Sequence, residues 1–356
     1  MSPVRNHVKV PVLPAVLLAG LVGLSAAPRT SPGAESVPEL FASEAPIELT
    51  LAADFSQLRR DRDQDAEERR GAITVMGSMG GEVEIPIKLK TRGRFRLQGE
   101  ICSDPPLRLN FPGPTPYGTP FDGQDKLKLV THCRDTEDFE QNLLEEYLAY
   151  RIYNRLTEAS FRVQLVRVTY LDTSGESDPV ERLGFLIEDE EDLARRLGGE
   201  IVEIPGIYPN RFVLDQIGLL YLYYFLIGNV DWGTSSGHNV KIALSGADHL
   251  PVPYDFDFSG LVDAPYAKPS ELTQALHESV RERIYWGVCM PGIDYEGLFN
   301  RFNQSREAVM ALAGNQIGLS EENRASALDY LEDFYEIIND PHQANLQIVS
   351  ACRPWL

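Results

Sequence analysis

The chain has 356 residues, of which 53 are acidic and 33 basic, giving a formal net charge of −20. A surface of that sign repels nucleic acid and anionic membranes, which argues against a nucleic-acid-binding role. The hydrophobic fraction of 43% supports a sizeable core, in one large domain or two closely packed lobes.

The chain opens with Arg5 and Lys9, followed by the apolar run VLPAVLLAGLVGLSAA, which ends in small residues. Residues 1–27 are therefore expected to be a secretory signal peptide, because the run is shorter than the roughly 20 residues that span a bilayer. Its removal would take the net charge from −20 to −22, since it carries two basic residues and no acidic ones. Residues 28–44, rich in Pro, Ser, Ala and Glu, read as a flexible leader. The mature protein is expected to be periplasmic, secreted or on the cell surface, with no membrane span left after cleavage.

Four cysteines remain, none in a CxxC spacing. An even count in an exported chain favours disulfides over a metal site. Pairing Cys102 with Cys133 and Cys289 with Cys352 would keep each bridge within one lobe.

Residues 45–192 read as a β-rich lobe with a single long helix. IELTLAADF alternates like a strand, and the charge run at 58–71 reads as a solvated loop or helix face. AITVMG, VEIPIKLKTRGRFRL, PLRLNF and DKLKLVTH are further strands, the last with Lys126 and Lys128 on one face. Residues 136–157 change period: Phe139, Leu143, Glu146, Tyr150 and Asn154 share one helical stripe. FRVQLVRVTYLD and ERLGFLIED then pair around the polar turn TSGESDP.

Residues 193–356 read as a mainly helical lobe. VLDQIGLLYLYYFLIGN, residues 213–229, is apolar nearly all round and is expected to be a buried central helix. Helical spacing recurs at 294–314, 320–338 and 341–350, with Ser320 as an N-cap.

The chemistry concentrates where this buried helix ends. Asp231, Trp232, His238 and Asn239 follow it, interrupted by GTSSG, and VPYDFDFSG then sets Asp255 and Asp257 two apart. Period two on an extended segment puts both acids on one face, where their repulsion calls for a cation. A hard divalent ion such as Mg²⁺ or Mn²⁺ suits oxygen ligands, and Asn239 could add a neutral one. Asp231 is then left to accept a proton or orient a nucleophile. Arg92 and Arg94, flanking Gly93, suit a turn over an anion, and Lys126 or Lys128 could grip phosphate with Glu146 behind. That is the set of parts phosphoryl transfer requires. Trp232 is expected to pack beneath the Asp231 turn, with His238 in a supporting role.

GNVDW, the HN pair and VPYDFDFSG resemble the signature of the CotH family, atypical kinases similar to spore coat protein H. The resemblance extends loosely over residues 80–290. It implies a protein-kinase-like, two-lobed α+β fold and ATP-dependent phosphorylation of exported proteins. In it Asp231 would be the catalytic-loop Asp, Asn239 the loop Asn, Asp255 and Asp257 the metal-binding acids, and Glu146 the helix Glu. Two departures stand out. Asp231 and Asn239 are eight apart, against about five in the usual kinase loop. The strand that often carries a Lys before an aromatic instead reads DPPLRLNF, with Arg108. Two other functions fit the same residues: a non-catalytic kinase-shaped module in envelope or surface assembly, and a metal-dependent hydrolase built on Asp231, His238, Asp255 and Asp257.

Overall fold

The computed structural model describes residues 39–354, so the expected signal peptide and most of the expected leader lie outside the described residues. The described residues belong to one compact unit. Its first half contains seven strands: β1 (Ile47–Ala53), β2 (Arg69–Met76), β3 (Glu82–Thr91), β4 (Leu107–Asn110), β5 (Lys126–Val130), β6 (Val163–Asp172) and β7 (Val180–Ile187). Around the sheet their order is β1-β2-β3-β4-β5-β7-β6, and the sheet closes on itself. Every neighbouring pair is antiparallel except the closing one: β1 runs parallel to β6, Ile47 opposite Val166 through Ala53 opposite Asp172.

This corrects the expected fold. The protein is not a two-lobed kinase fold, because the β-rich region is a closed mixed barrel and the helices form a separate region. The strand segments themselves were readable from their alternation. Their closure was not, because the parallel pairing joins segments more than a hundred residues apart, and a period-two pattern carries no record of its partner.

Alternation fills the barrel. Leu49 and Leu51, Ile73 and Val75, Ile85, Ile87 and Leu89, Leu107 and Leu109, Leu127 and Leu129, and Val166 and Val168 form one buried cluster. On β6 and β7, Leu165, Leu183, Phe185 and Ile187 instead belong to a second, helical core. These two strands are therefore apolar on both faces, and they join the barrel to the helices.

The second core is built on α2 (Glu137–Leu156), α4 (Leu214–Ile227), α5 (Tyr295–Gly314) and α6 (Glu321–Asn339). Ile217 through Ile227 of α4 are all buried, as the all-round apolar pattern required. This region also holds a three-stranded sheet, β8 (Glu200–Val202), β9 (Val240–Ser245) and β10 (Asp248–Pro253), in the order β10-β9-β8. Shorter helices are α1 (Phe55–Arg60), α3 (Glu190–Arg196) and α7 (Pro341–Ala344). Both expected disulfides are present, Cys102–Cys133 and Cys289–Cys352. No helix among the described residues is long and apolar enough to cross a membrane.

One carboxylate ties the end of β6 to the start of α1. Asp172 accepts hydrogen bonds from the Phe55 amide (3.0 Å) and the Ser174 hydroxyl (2.6 Å). It also accepts from the hydroxyls of Ser56 (3.3 Å) and Ser177 (3.2 Å) and from the Glu176 amide (3.2 Å). Burial works against its charge, but the bonds from Ser174, Ser177 and Phe55 outweigh it and hold the carboxyl well below the usual range. A depressed pKa contributes stability that is complete above the unfolded value, about 3.9, and is lost as pH falls toward the folded value. Asp172→Ala is expected to destabilise the protein by about 2–4 kcal/mol in denaturant melts and to flatten the stability loss below about pH 4. An unchanged midpoint and acid limb would show that this contact is idle.

Candidate functional site

Helix α4 ends at Gly228, whose φ of 66° closes the helix in the left-handed region. A Cβ there would lie 2.0 Å from the Tyr330 hydroxyl, so both conformation and space require glycine. The next residue, Asn229, is fully buried and acts as a hub. Its Oδ1 accepts from the Asp231 amide at 2.8 Å, and its carbonyl accepts from the Trp232 indole at 3.1 Å. Trp232 is buried and stacks on Tyr224 with centroids 4.8 Å apart and planes at 12°. It packs beneath the turn, as its sequence context suggested.

The GTSSG insert folds back on itself, and its Ser236 and Gly237 line the rim of the cleft that holds the site. Gly233 and His238 exchange two backbone hydrogen bonds, of 2.9 and 3.1 Å, so residues 233–238 form a closed hairpin tip. The chain thus returns close to its starting point despite the long spacing. Asn239 then donates its side-chain amide to the Asp231 carbonyl (2.8 Å) and to Oδ2 (3.2 Å). His238 Nε2 lies 2.9 Å from Asp231 Oδ1. Asp231 is thus held from both sides, and Asn239 directs its amide nitrogen to Asp231. The hydrogen bond from His238 to Asp231 raises the pKa of His238, and the charge of Asp231 adds to it.

The two acids of DFD lie beyond the strand that was expected to carry them. β10 ends at Pro253, and Asp255 has a φ of 63°. Its amide donates to the Tyr150 hydroxyl at 2.8 Å, which fixes this bend against α2. Asp257 is buried and accepts from the Tyr266 hydroxyl at 2.9 Å. Glu146, from the middle of α2, completes a group in which one oxygen from each of the three residues lies within 4.8 Å of the others.

Among these carboxylates sits Arg96, which the sequence pattern did not single out. Its Nη1 donates to Glu146 Oε2 (2.9 Å) and its Nη2 to Glu146 Oε1 (3.3 Å). Nη2 also donates to Asp255 Oδ1, and Nε lies 3.4 Å from Asp257 Oδ2. The pattern reads as a strand through TRGRFRL, although Gly93 is also suited to a turn. β3 stops at Thr91, Gly93 takes a φ of 100°, and Phe95–Leu97 form a 3₁₀ turn. Phe95 wedges against Phe258 and Tyr266, and Arg96 is carried inward. The third arginine of the motif was the only clue, and nothing local separates it from the other two.

Three carboxylates surround one guanidinium, which cannot neutralise all of them when they are ionised. Burial, with the charges of Asp255 and Glu146, pushes Asp257 up to about 8 even though Arg96 pulls it down. Glu146 is likewise raised by burial against the pull of Arg96. Hard oxygen donors that outnumber their one cationic partner fit a divalent cation of the Mg²⁺ or Mn²⁺ type.

A cleft of about 1500 Å³ brings these groups together. One part of its lining is basic: Lys90, Arg92, Arg94, Arg108 and Lys128. Arg92, Arg94 and Arg108 make no side-chain hydrogen bond or ion pair among the described residues. Another part carries Asp231, His238, Asn239, Asp255 and Asp257. Lys128 faces the cleft over the rings of Phe161 and Tyr254, but its ion-pair partner is Glu190 at 2.7 Å and not Glu146. Burial lowers its pKa, and the nearby Arg92 charge adds to the effect. Lys126 pairs with Asp125 and Glu191 and does not line the cleft. Of the basic residues singled out in the sequence, Arg92, Arg94 and Lys128 therefore reach the cleft, whereas the cation gripped by Glu146 is Arg96.

No family model matches the chain, and no curated protein matches it. The CotH-like motifs are thus a resemblance of residues, and family membership does not follow from them.

The Asp231–His238 contact makes a direct prediction. An NMR titration of the His238 ring should show a pKa above the ordinary value of about 6.5, and Asp231→Asn should bring it back toward that value. A raised histidine pKa contributes stability at low pH that is lost as pH rises through the folded value, so the variant should lose stability on the acid side only. An unmoved titration in the variant would disprove the contact.

Proposed function

We propose that this cleft transfers the terminal phosphoryl group of a nucleoside triphosphate, ATP in the first instance, to a hydroxyl of an exported protein, with a divalent metal ion. The proposal rests on the site and not on the fold. The observation that carries it is Asp231, held between Asn239 and His238 in the same cleft as unpaired arginines and as Asp255 and Asp257, two members of the three-carboxylate group.

The residues divide the work. Arg92 and Arg94 offer free guanidinium groups to the phosphates, where planar paired donors suit the anion. Asp255 and Asp257, with Glu146 behind them, would hold Mg²⁺ or Mn²⁺. When bound, that ion would offset phosphate charge and orient the transferring group. Asp231 accepts the hydrogen bond of the incoming hydroxyl and takes its proton as the new O–P bond forms. The bond between the β-phosphate bridging oxygen and the γ-phosphorus breaks, and the nucleoside diphosphate leaves with that electron pair. Asn239 and His238 keep Asp231 from rotating away. The disulfides are consistent with an oxidising compartment, in keeping with export.

A second function has its own observation. Arg96 engages all three carboxylates, which favours a module that binds nucleotide without turning it over. Incubation of the purified mature protein with γ-labelled ATP, Mg²⁺ and an acceptor protein separates the two. A phosphotransferase is expected to give labelling that falls by about 10²–10⁴-fold in Asp231→Asn, the usual worth of a positioned general base. Equal labelling in both proteins removes Asp231 from the reaction. ATP binding without label transfer establishes the non-catalytic module.

A further inference from the structure

The oxygens around Arg96 are not used equally. Glu146 gives both of its oxygens to the guanidinium. Asp255 gives only Oδ1, and Asp257 gives only Oδ2, which it shares with the Tyr266 hydroxyl. Asp255 Oδ2 and Asp257 Oδ1 accept no hydrogen bond among the described residues. The grip on Asp257 is also the longest of the set, at 3.4 Å. Arg96 is therefore locked to Glu146 and only partly committed to the two aspartates.

The backbone around Arg96 cannot follow a large movement. Phe95 is wedged between Phe258 and Tyr266. Beyond Arg96, Arg62 donates to the carbonyls of Leu97, Cys102 and Ser103, and the Cys102–Cys133 bridge ties the same loop to the segment before α2. Any change of partners must come from the side chain itself.

We propose that Arg96 is a stand-in cation, holding Asp255 and Asp257 in place until a divalent metal ion takes them over while the guanidinium stays locked to Glu146. The charge count favours the exchange. With all three carboxylates ionised, one guanidinium leaves two negative charges, and a divalent ion that displaces any bound proton brings the group to neutrality with the arginine still present. Such a group without its stand-in would repel itself or take up protons. The guanidinium released from the aspartates then lies beside Arg92 and Arg94 in the cleft wall, where phosphate would meet it. Arg96 acts as a positioning residue and sets how tightly the metal binds. The inference rests on the metal requirement of the proposed function, but not on phosphoryl transfer itself.

The test is Mn²⁺ binding to the full mature chain without nucleotide, followed by calorimetry or water-proton relaxation. Arg96→Gln removes the competing cation and should bind Mn²⁺ about tenfold more tightly than wild type, equivalent to about 1.4 kcal/mol. Arg96→Lys, which keeps one charge but loses the fork, should fall between the two and serves if Arg96→Gln does not fold. Asp257→Asn should lose the Mn²⁺ signal. Equal or weaker binding in Arg96→Gln overturns the proposal, as does the absence of Mn²⁺ binding from every variant. If no label is transferred while Arg96→Gln still tightens Mn²⁺, phosphoryl transfer fails and the exchange stands. If label is transferred while the Mn²⁺ affinity of Arg96→Gln is unchanged, the exchange fails and phosphoryl transfer stands.

Discussion

The structure around the cleft turns on the contact between one buried guanidinium and three carboxylates. Arg96 comes from the turn after β3, Glu146 from the middle of α2, and Asp255 and Asp257 from the bend after β10. None of these could be buried alone, because an isolated charge inside a protein costs several kcal/mol. Together they pin the barrel, the long helix and the small sheet at one point. The turn at Gly93, the wedge of Phe95 and the left-handed bend at Asp255 all serve that meeting. One guanidinium does not match three carboxylates, and the raised pKa of Asp257 is the sign of that mismatch.

The second half of the site follows from a different constraint. Helix α4 is buried all round, so it cannot tilt or slide without opening the core. Its left-handed stop at Gly228, the buried hub of Asn229 and the stacked Trp232 pass that rigidity on to Asp231. The hairpin tip at 233–238 closes on itself through Gly233 and His238, and so delivers His238 to Asp231. An insertion is tolerated where the chain leaves and returns at hydrogen-bonded neighbours.

A barrel in place of an open sheet alters the setting of the site more than its contents. β6 and β7 carry apolar side chains on both faces, one towards the barrel interior and one towards the helices. The barrel wall is therefore also a wall of the helical core. The groups of the cleft are thus held by packing that the barrel and the helices share.

Much of the site was readable in the chain. Asp231, His238 and Asn239, the two acids of DFD and Glu146 were all marked by residue type and order, and they do converge. Local pattern also marked the seven barrel strands, the apolar helix α4 and both disulfides, since alternation, helical stripes and an even cysteine count are properties of neighbouring residues. Tertiary structure alone decided how the strands close, which cation Glu146 holds, and how Asn239 reaches Asp231. The parallel β1–β6 pair joins residues far apart in the chain. Arg96 differs from Arg92 and Arg94 only in the direction a turn gives it, and Lys128 lost its expected partner to Glu190. Short-range periodicity specifies which face a side chain takes, whereas the partner it meets there is set by the packing of distant segments.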